Sequence, residues 1–481
     1  MIQPNVSYTI VALQEALKRY TVIRDCVAGD LAIKAKTTTY LPMPNEGSPD
    51  IMAKRYKSYL LRAVFYNVTK RTLDGLCGQI FMREPFIELP AKLAALLLDA
   101  DGSGVSLVQV AKRAAHYGVG YGRAGVFVDY PSTDAPLTVA AIERGDIRPT
   151  ITVYAPWQVI NWRTTIRGAR KLLSLVVIEE EVDSEVSTFA TSKIKQWRVL
   201  QLIDDVYTVQ LWRLEKGGKH EPFVTFVPRD SVGNTLSEIP FQFIGAYNND
   251  EEVDDAPLYD IATMNIAHYR NSADYEESCF MVGQPTPVLA GLTEDWVKNV
   301  LEGTIVLGSR SAVMLPVGGT AILLQASPNQ LPAAAMEHKE KQMVALGARI
   351  VEQRAVVRTA TEAGFDHTTE GSVLSSVAKN VSACFTWALG WCARFAGAEP
   401  TAQFMLNTDF DIATLTPEAR RQLILEWQSG AITWDEVRLN LHKSGVASTD
   451  DAEARIAIDA EQAALAATEQ ARTLTKQPTT N

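Results

Sequence analysis

The chain is 481 residues long, 47% hydrophobic and 21% charged, an ordinary composition for a folded protein but too long for one core. Its net charge of −10, from 46 Lys and Arg against 56 Asp and Glu, argues against a generic nucleic-acid binder, which would usually be basic. Five cysteines occur with no CxxC spacing, so they read as free thiols of a reducing cytosol.

No apolar run approaches the roughly 18 residues of a membrane span. The opening MIQPNVSYTI lacks a basic stretch followed by an apolar core, so no secretion signal is read there. Residues 7–33 read as a helix with Ser7 as its cap and an apolar stripe through Val11, Leu17 and Val22. A Pro/Gly-rich loop follows over 34–50. Residues 51–76, with YKSYLLRAVFYN, carry one long helical pattern. GLCGQIFMREPFIELP (75–90) reads as a turn and a short strand, and Leu93, Leu96 and Leu97 as a short helix. Ser106 caps a helix through Ala115, after which the glycine loop GVGYGRAG leads into the strand VFVDY.

From about 150 to 245 the chain is β-rich. VVIEEEV, QWRVLQLI and VYTVQLWRL read as strands, with turns at Asp204-Asp205 and at the GGK of 217–219, and the acidic run DEEVDD (250–255) closes the lobe. Pro257 opens a helix to about Phe280, with Leu258, Ile261, Ala262, Ile266, Tyr269 and Ala273 on one side. A small α+β module follows. QPTPVLAG is extended, Thr293 starts a short helix, and TIVLG, AVMLPV and AILLQ are brief strands. A second long helix spans 331–351, with Pro332 at its first turn and Met336, Met343, Leu346 and Ile350 at helical spacing. The two long helices, each about 30 Å long, are expected to pack side by side.

The apolar pattern stops at Val351. The next stretch, EQRAVVRTATEAGFDHTTE (352–370), is polar and Thr-rich, and Val373, Val377, Val381, Phe385 and Leu389 then open another helix at four-residue steps. Compact domains rarely keep a structureless loop of about twenty residues unless it works. QFMLNTDFDI reads as a strand returning to the main lobe. Thr416-Pro417-Glu418 begins a helix ending at Gly430, and Thr433-x-x-Glu436 is a capping box for the next, which stops at Gly445. Residues 450–474 are Ala-rich and helical. From 405 onward there are 12 acids against 7 Lys and Arg, an acidic outer lobe with Leu423, Trp427, Val437 and Leu441 as its local core.

Catalytic signatures fail one by one. Gly120-x-Gly122-x-x-Gly125 matches the dinucleotide fingerprint, but a helix precedes it and a strand follows, the reverse of what a phosphate site needs. Asp99-x-Asp101-x-Ser103-Gly104 imitates a calcium loop, but Val110 stands where the bidentate Glu belongs. No GxxxxGK[ST], HExxH or GxSxG occurs. The six histidines, 116, 220, 268, 338, 367 and 442, are scattered singly and read as polar surface or interface residues. Residues 416–445 could form a helix-turn-helix, but the second helix mixes Arg438, Asn440 and Lys443 with acids, so interaction helices fit better than DNA reading. No catalytic residue, metal or cofactor is expected.

The order of these parts resembles the portal protein of tailed bacteriophages. YLLRAVFYNVTKRTLDGLCGQIF (59–81), LDADGSGVSLVQVAKRA (98–114) and RTATEAGFDHTTEGSVLSSVAKNV (358–381) are similar in phrasing to blocks of one portal subfamily. The resemblance implies a helix-rich α+β subunit with a wing (1–256), a stem helix (257–280), a clip (281–328), a second stem helix (329–351), a tunnel loop (352–370), a long wing helix with a return strand (371–404), and a crown with its tail (405–481). It implies a homo-oligomeric ring, usually a dodecamer, at one vertex of the virion capsid. Double-stranded DNA would pass along its axis in packaging and ejection. The large terminase and later a head-tail adaptor would dock on the clip, with scaffold and major capsid protein against the wing and no membrane partner. The protein would be made in the host bacterial cytoplasm and would hydrolyse nothing. Channel-lining positions would be Arg354, Arg358, Thr361, Glu362, Asp366, His367 and Glu370, and the clip interface would include Trp296, Val306 and Leu315.

The charge pattern suits a conduit. Each phosphate neutralised by Lys or Arg strengthens binding through counterion release, so a basic bore would brake the DNA. The stretch 352–370 mixes Arg354 and Arg358 with Glu352, Glu362, Asp366 and Glu370. The alternatives are another virion structural protein, such as a head-tail adaptor or a scaffold without a DNA channel, and an enzyme whose site carries none of the tested signatures.

Overall fold

The computed structural model describes residues 5–43, 49–130, 148–215, 217–283, 286–299, 315–324, 330–351, 372–408, 410, 417–443, 447, 456–458 and 460. The fold is α+β. The chain divides into two compact units, 1–408 and 409–481.

In the first unit, helices α1 (Val11–Ala28), α2 (Asp30–Ala35), α3 (Pro49–Arg62), α4 (Val68–Ile80) and α5 (Leu107–Tyr121) precede two antiparallel sheets. One has three strands, ordered β3 (Thr150–Tyr154), β2 (Arg123–Asp129), β9 (Phe241–Gly245). The other is a five-stranded meander of β4 (Val159–Arg167), β5 (Arg170–Ser187), β6 (Ala190–Ile203), β7 (Val206–Leu214) and β8 (His220–Phe226). Helix α6 (Tyr259–Gly283), a hairpin of β10 (Thr286–Ala290) and β11 (Thr320–Leu324) enclosing α7 (Glu294–Asn299), and α8 (Leu331–Val351) come next. Helix α9 (Val373–Ala396) follows, and β12 (Gln403–Met405) returns to pair with β1 (Phe86–Glu88).

Helix α9 is the centre of the unit. Val377, Val381, Phe385 and Leu389 are fully buried, as the four-residue steps predict, and so are Leu374, Ala378, Cys384, Ala388 and Cys392. A helix apolar on most of its circumference must be enclosed; this one lies against α5, β2, β9 and β12. Ser372 caps it by accepting from Ser375 N at 3.2 Å, and Gly397, in the left-handed region, ends it.

Several sequence expectations shift. The helix predicted over 7–33 starts at Val11, and Ser7 is no cap: its hydroxyl bonds Asn5 Oδ1. The buried stripe is Leu13, Ala16, Tyr20 and Ile23, while Val11 is exposed, because that three-and-four spacing is the one facing α6. Gly29, at φ +92°, breaks the helix. The pattern over 51–76 is two helices, since Asn67 turns the chain and caps α4 at Lys70 N. Helix α5, opened by the Ser106–Gln109 capping box, runs on to Tyr121 through the expected glycine loop. Gly122 then takes φ +72°, and a Cβ there would fall 2.5 Å from Asp255 O. The glycine motif is thus a helix-to-strand joint, in the order that disfavoured a phosphate site. The Asp99 loop closes on itself: Asp99 Oδ1 accepts from Gly102 N and Gly104 N at 2.8 and 3.0 Å, and Arg148 pairs with its other oxygen.

In the second unit, α10 (Pro417–Gln428) and α11 (Trp434–Lys443) form a helical pair. The expected capping box is present, with Glu436 Oε2 accepting from Thr433 N at 2.7 Å. Val437 is buried and Leu423 and Leu441 are half-buried. Trp427 remains 38% exposed and packs on Trp434 with the rings tilted by 53° and their centroids 4.7 Å apart, rather than under a core. The expected helix over 450–474 lies almost wholly outside the described residues.

Candidate functional site

Helices α6 and α8 pack side by side, as expected. Glu340 Oε1 reaches His268 Nε2 at 3.1 Å and Lys339 Nζ donates to Asn271 Oδ1 at 2.5 Å, so residue numbers rise on one helix as they fall on the other and the pair is antiparallel. At 1.5 Å per residue, their 25 and 21 residues span about 37 and 31 Å. The inner end of the pair sits in the main core. Leu258, Ile261, Ala262, Ile266, Tyr269 and Ala273 of the predicted stripe are all buried, as are Met343 and Ile350 of α8.

Polar residues inside that stripe do the joining. Asn265, fully buried, accepts through Oδ1 from Val68 N, Thr69 N and Thr69 Oγ1 at 3.0–3.1 Å and donates to Tyr66 O at 2.8 Å. About two turns further on, Ser272 Oγ accepts from Val64 N and donates to Val64 O at 2.8 Å. The segment between α3 and α4 therefore has its backbone groups satisfied by one face of α6, as buried backbone requires. Tyr59 donates to Asp274 Oδ1 at 2.6 Å, and Arg62, stacked on the Phe280 ring at 4.1 Å, pairs with Glu277. Burial, and then Asp274 as acceptor, raise the Tyr59 phenol above its ordinary value. Sequence reading missed Asn265 and Ser272. The available signal was two polar residues seven apart interrupting an apolar face.

The outer end differs. Phe280, Met281, Val288, Val297, Ile322 and Leu331 are exposed. The hairpin keeps its register from Thr286↔Leu324 to Ala290↔Thr320, and Thr293 Oγ1 accepts from Trp296 N at 3.4 Å at the start of α7. Of the expected clip positions, Trp296 and Leu315 are half-buried, Leu315 beside the turn in which Gly319 N donates to Pro316 O. Val306 lies outside the described residues. So does the whole of 352–371, which joins α8 to α9 and holds Arg354, Arg358, Thr361, Glu362, Asp366, His367 and Glu370.

Three of the five thiols are muted by burial. Cys26, Cys384 and Cys392 are buried, and burial pushes the Cys26 thiol up to about 12 and the other two higher still, the opposite of an activated nucleophile. Burial also lowers Arg123 to about 10. That side chain stacks between Phe243 and Trp162 at 3.7 and 4.3 Å and donates to the carbonyls of Glu251 and Glu252, so it anchors the acidic run. No cluster of three or more potential metal ligands occurs among the described residues, and none of their helices is long and apolar enough to cross a membrane.

A family described as a domain of unknown function (DUF4055) matches residues 257–396, from the start of α6 to the last residue of α9. No curated protein matches the chain. Among solved structures, a chain of the virion of a native gene transfer agent particle is 15% identical, covering 88% of this chain and 100% of its own, at a TM-score of 0.41. A chain from the neck of the native particle, computed with C12 symmetry, is 14% identical over 87% and 100% at 0.40. One from the neck of the empty particle, computed with C6 symmetry, is 13% identical over 81% and 93% at 0.39. These are distant likenesses.

Proposed function

We propose that the chain is the portal subunit of a tailed bacteriophage, assembled as a ring around a channel for double-stranded DNA at one capsid vertex. The observation that carries this reading is the antiparallel pair α6 and α8. It is rooted in the core by Asn265 and Ser272, leaves its outer end exposed, and bears a small hairpin module between its two arms. On this reading α6 and α8 are the stem, the module is the clip that receives the large terminase and then the head-tail adaptor, and residues 352–370 are the tunnel loop. The sheets and α9 form the wing against scaffold and major capsid protein, and 405–481 form the crown. The virion is its destination after synthesis in the host cytoplasm. The chain itself performs no catalysis and takes no cofactor; the terminase supplies the work. The distant particle structures add no weight; the order of the chain's own elements does.

Twelve copies at −10 each give −120, an overall field that repels DNA, while Arg354 and Arg358 among acids make the loop neither glue nor wall. Glu362→Lys with Asp366→Lys places two lysines per chain on that loop. The expected outcome is normal ring assembly with poor DNA packaging, relieved at higher salt as phosphate attraction is screened. Normal packaging by the double variant at low salt would refute the channel assignment.

A further inference from the structure

Residues 5–10, just ahead of α1, lie across the five-stranded sheet. One face of that sheet, with Val176, Ile178, Leu200 and Val209, is sealed in the core. On the opposite face Ile160, Val177, Trp197 and Val199 form a separate apolar cluster, with Leu175 and Trp212 half-covered at its edge. At one side of this face Ile10 N donates to Ile160 O on β4 at 3.1 Å. At the other, Asn5 Nδ2 donates to His220 Nδ1 on β8 at 3.4 Å, and the His220 ring stands edge-on to Trp197 at 4.7 Å. Between the two, Val6 packs against the cluster.

The segment is built to move as one piece. Asn5 Oδ1 accepts from Ser7 N and Ser7 Oγ at 3.0 and 2.6 Å, and Tyr8 N donates to Asn5 O at 3.0 Å. This turn, with Val6 inside it, holds its own shape without the sheet. Behind it, α1 begins at Val11 with no side-chain cap, so its first N–H groups have no side-chain partner to hold them. The anchorage is slight. Among the described residues, the two bonds named above are the only hydrogen bonds from 5–10 to the sheet, and the one to His220 is long. Val6 fills its seat only in part: a cleft of about 830 Å³ stays open beside it, floored by Val177, Val199 and Trp212. Segments with few buried contacts open locally at far lower free energy than the whole fold.

We infer that residues 5–10 form a releasable strap over the outer face of the five-stranded sheet, with Val6 as its plug. The closed state is the one in the structure. In the open state the chain pivots at Ile10, and the face carrying Ile160, Val177 and Val199 is reached only while the strap is lifted. The device is independent of the portal reading. Chymotrypsin cleavage after Tyr8 in the full-length protein, followed by mass spectrometry of the released 1–8 fragment, tests it. Release is expected at a rate nearly constant in low urea, because opening the strap exposes little surface. Val6→Asp puts a carboxylate on the apolar cluster and should speed release about tenfold or more, leaving the urea midpoint of the whole chain unchanged. Val6→Leu adds apolar contact where there is room and should slow release about threefold. Release that rises steeply with urea, as global unfolding does, would overturn the strap, as would a rate indifferent to the residue at position 6. A midpoint lowered by Val6→Asp as by a core substitution would show residues 5–10 to be integral to the sheet and would overturn it too.

Discussion

The two halves of helix α6 belong to different environments. From Tyr259 to Ala273 its apolar stripe is enclosed and its polar interruptions, Asn265 and Ser272, are fully engaged by the α3–α4 segment. From Asp274 to Gly283 the contacts are ionic and at the surface, with Phe280 and Met281 exposed. One helix with a uniform rise thus serves as core element at one end and as presented surface at the other. The inner half is determined by this chain alone. The outer half, with the module it carries, keeps apolar side chains in solvent that a partner could cover.

Substitutions along the pair should grade accordingly. Asn265→Ala, at the inner end, leaves the Thr69 N–H and hydroxyl without their acceptor in a dry site, while Val68 N keeps its bond to Tyr66 O at 2.9 Å, and should cost about 2 kcal/mol in urea unfolding. A loss below 1 kcal/mol would mean that the elbow does not hold the helix. At the midpoint, Tyr59→Phe should cost about 1 kcal/mol by removing the bond to Asp274. Its effect is pH-dependent. Because the folded phenol titrates above its unfolded value, its contribution is present in full below about pH 10 and is lost as pH rises through the folded value. The gap between wild type and Tyr59→Phe should therefore narrow at alkaline pH; a gap that widens would contradict the sign. At the outer end Ile322, 65% exposed, should tolerate Ser within about 0.5 kcal/mol in the isolated chain. A large loss there would erase the contrast between the two ends.

Much of this architecture is legible in the residues. The stripe of α6, the four-residue steps of α9, the capping box at Thr433 and the turn at Asp204-Asp205 each carry a local periodicity or a local hydrogen-bonding rule, and the structure obeys them. What escapes is decided by residues far apart in the chain. The split of 51–76 into two helices depends on Asn67 and on Asn265, nearly two hundred positions away, which supplies the hydrogen bonds the broken backbone needs. The start of α1 follows from which face meets α6, not from Ser7. Trp427 reads as core by size and spacing, yet it finds Trp434 at the surface. The channel residues rest on a resemblance and on a polarity switch between Val351 and Val373, and they lie outside the described residues.

The central claim is that the exposed outer end and the polar span 352–370 are arranged around an axis shared by many copies. Cryo-electron microscopy of the purified full-length protein, with mass photometry on the same sample, tests this most directly. Twelve copies of a 52.8 kDa chain make a particle of about 630 kDa. The account expects closed rings near that mass, with an axial hole whose narrowest density comes from residues 352–370. Particles confined to the monomer mass, or rings with that span on the outer rim, would contradict it.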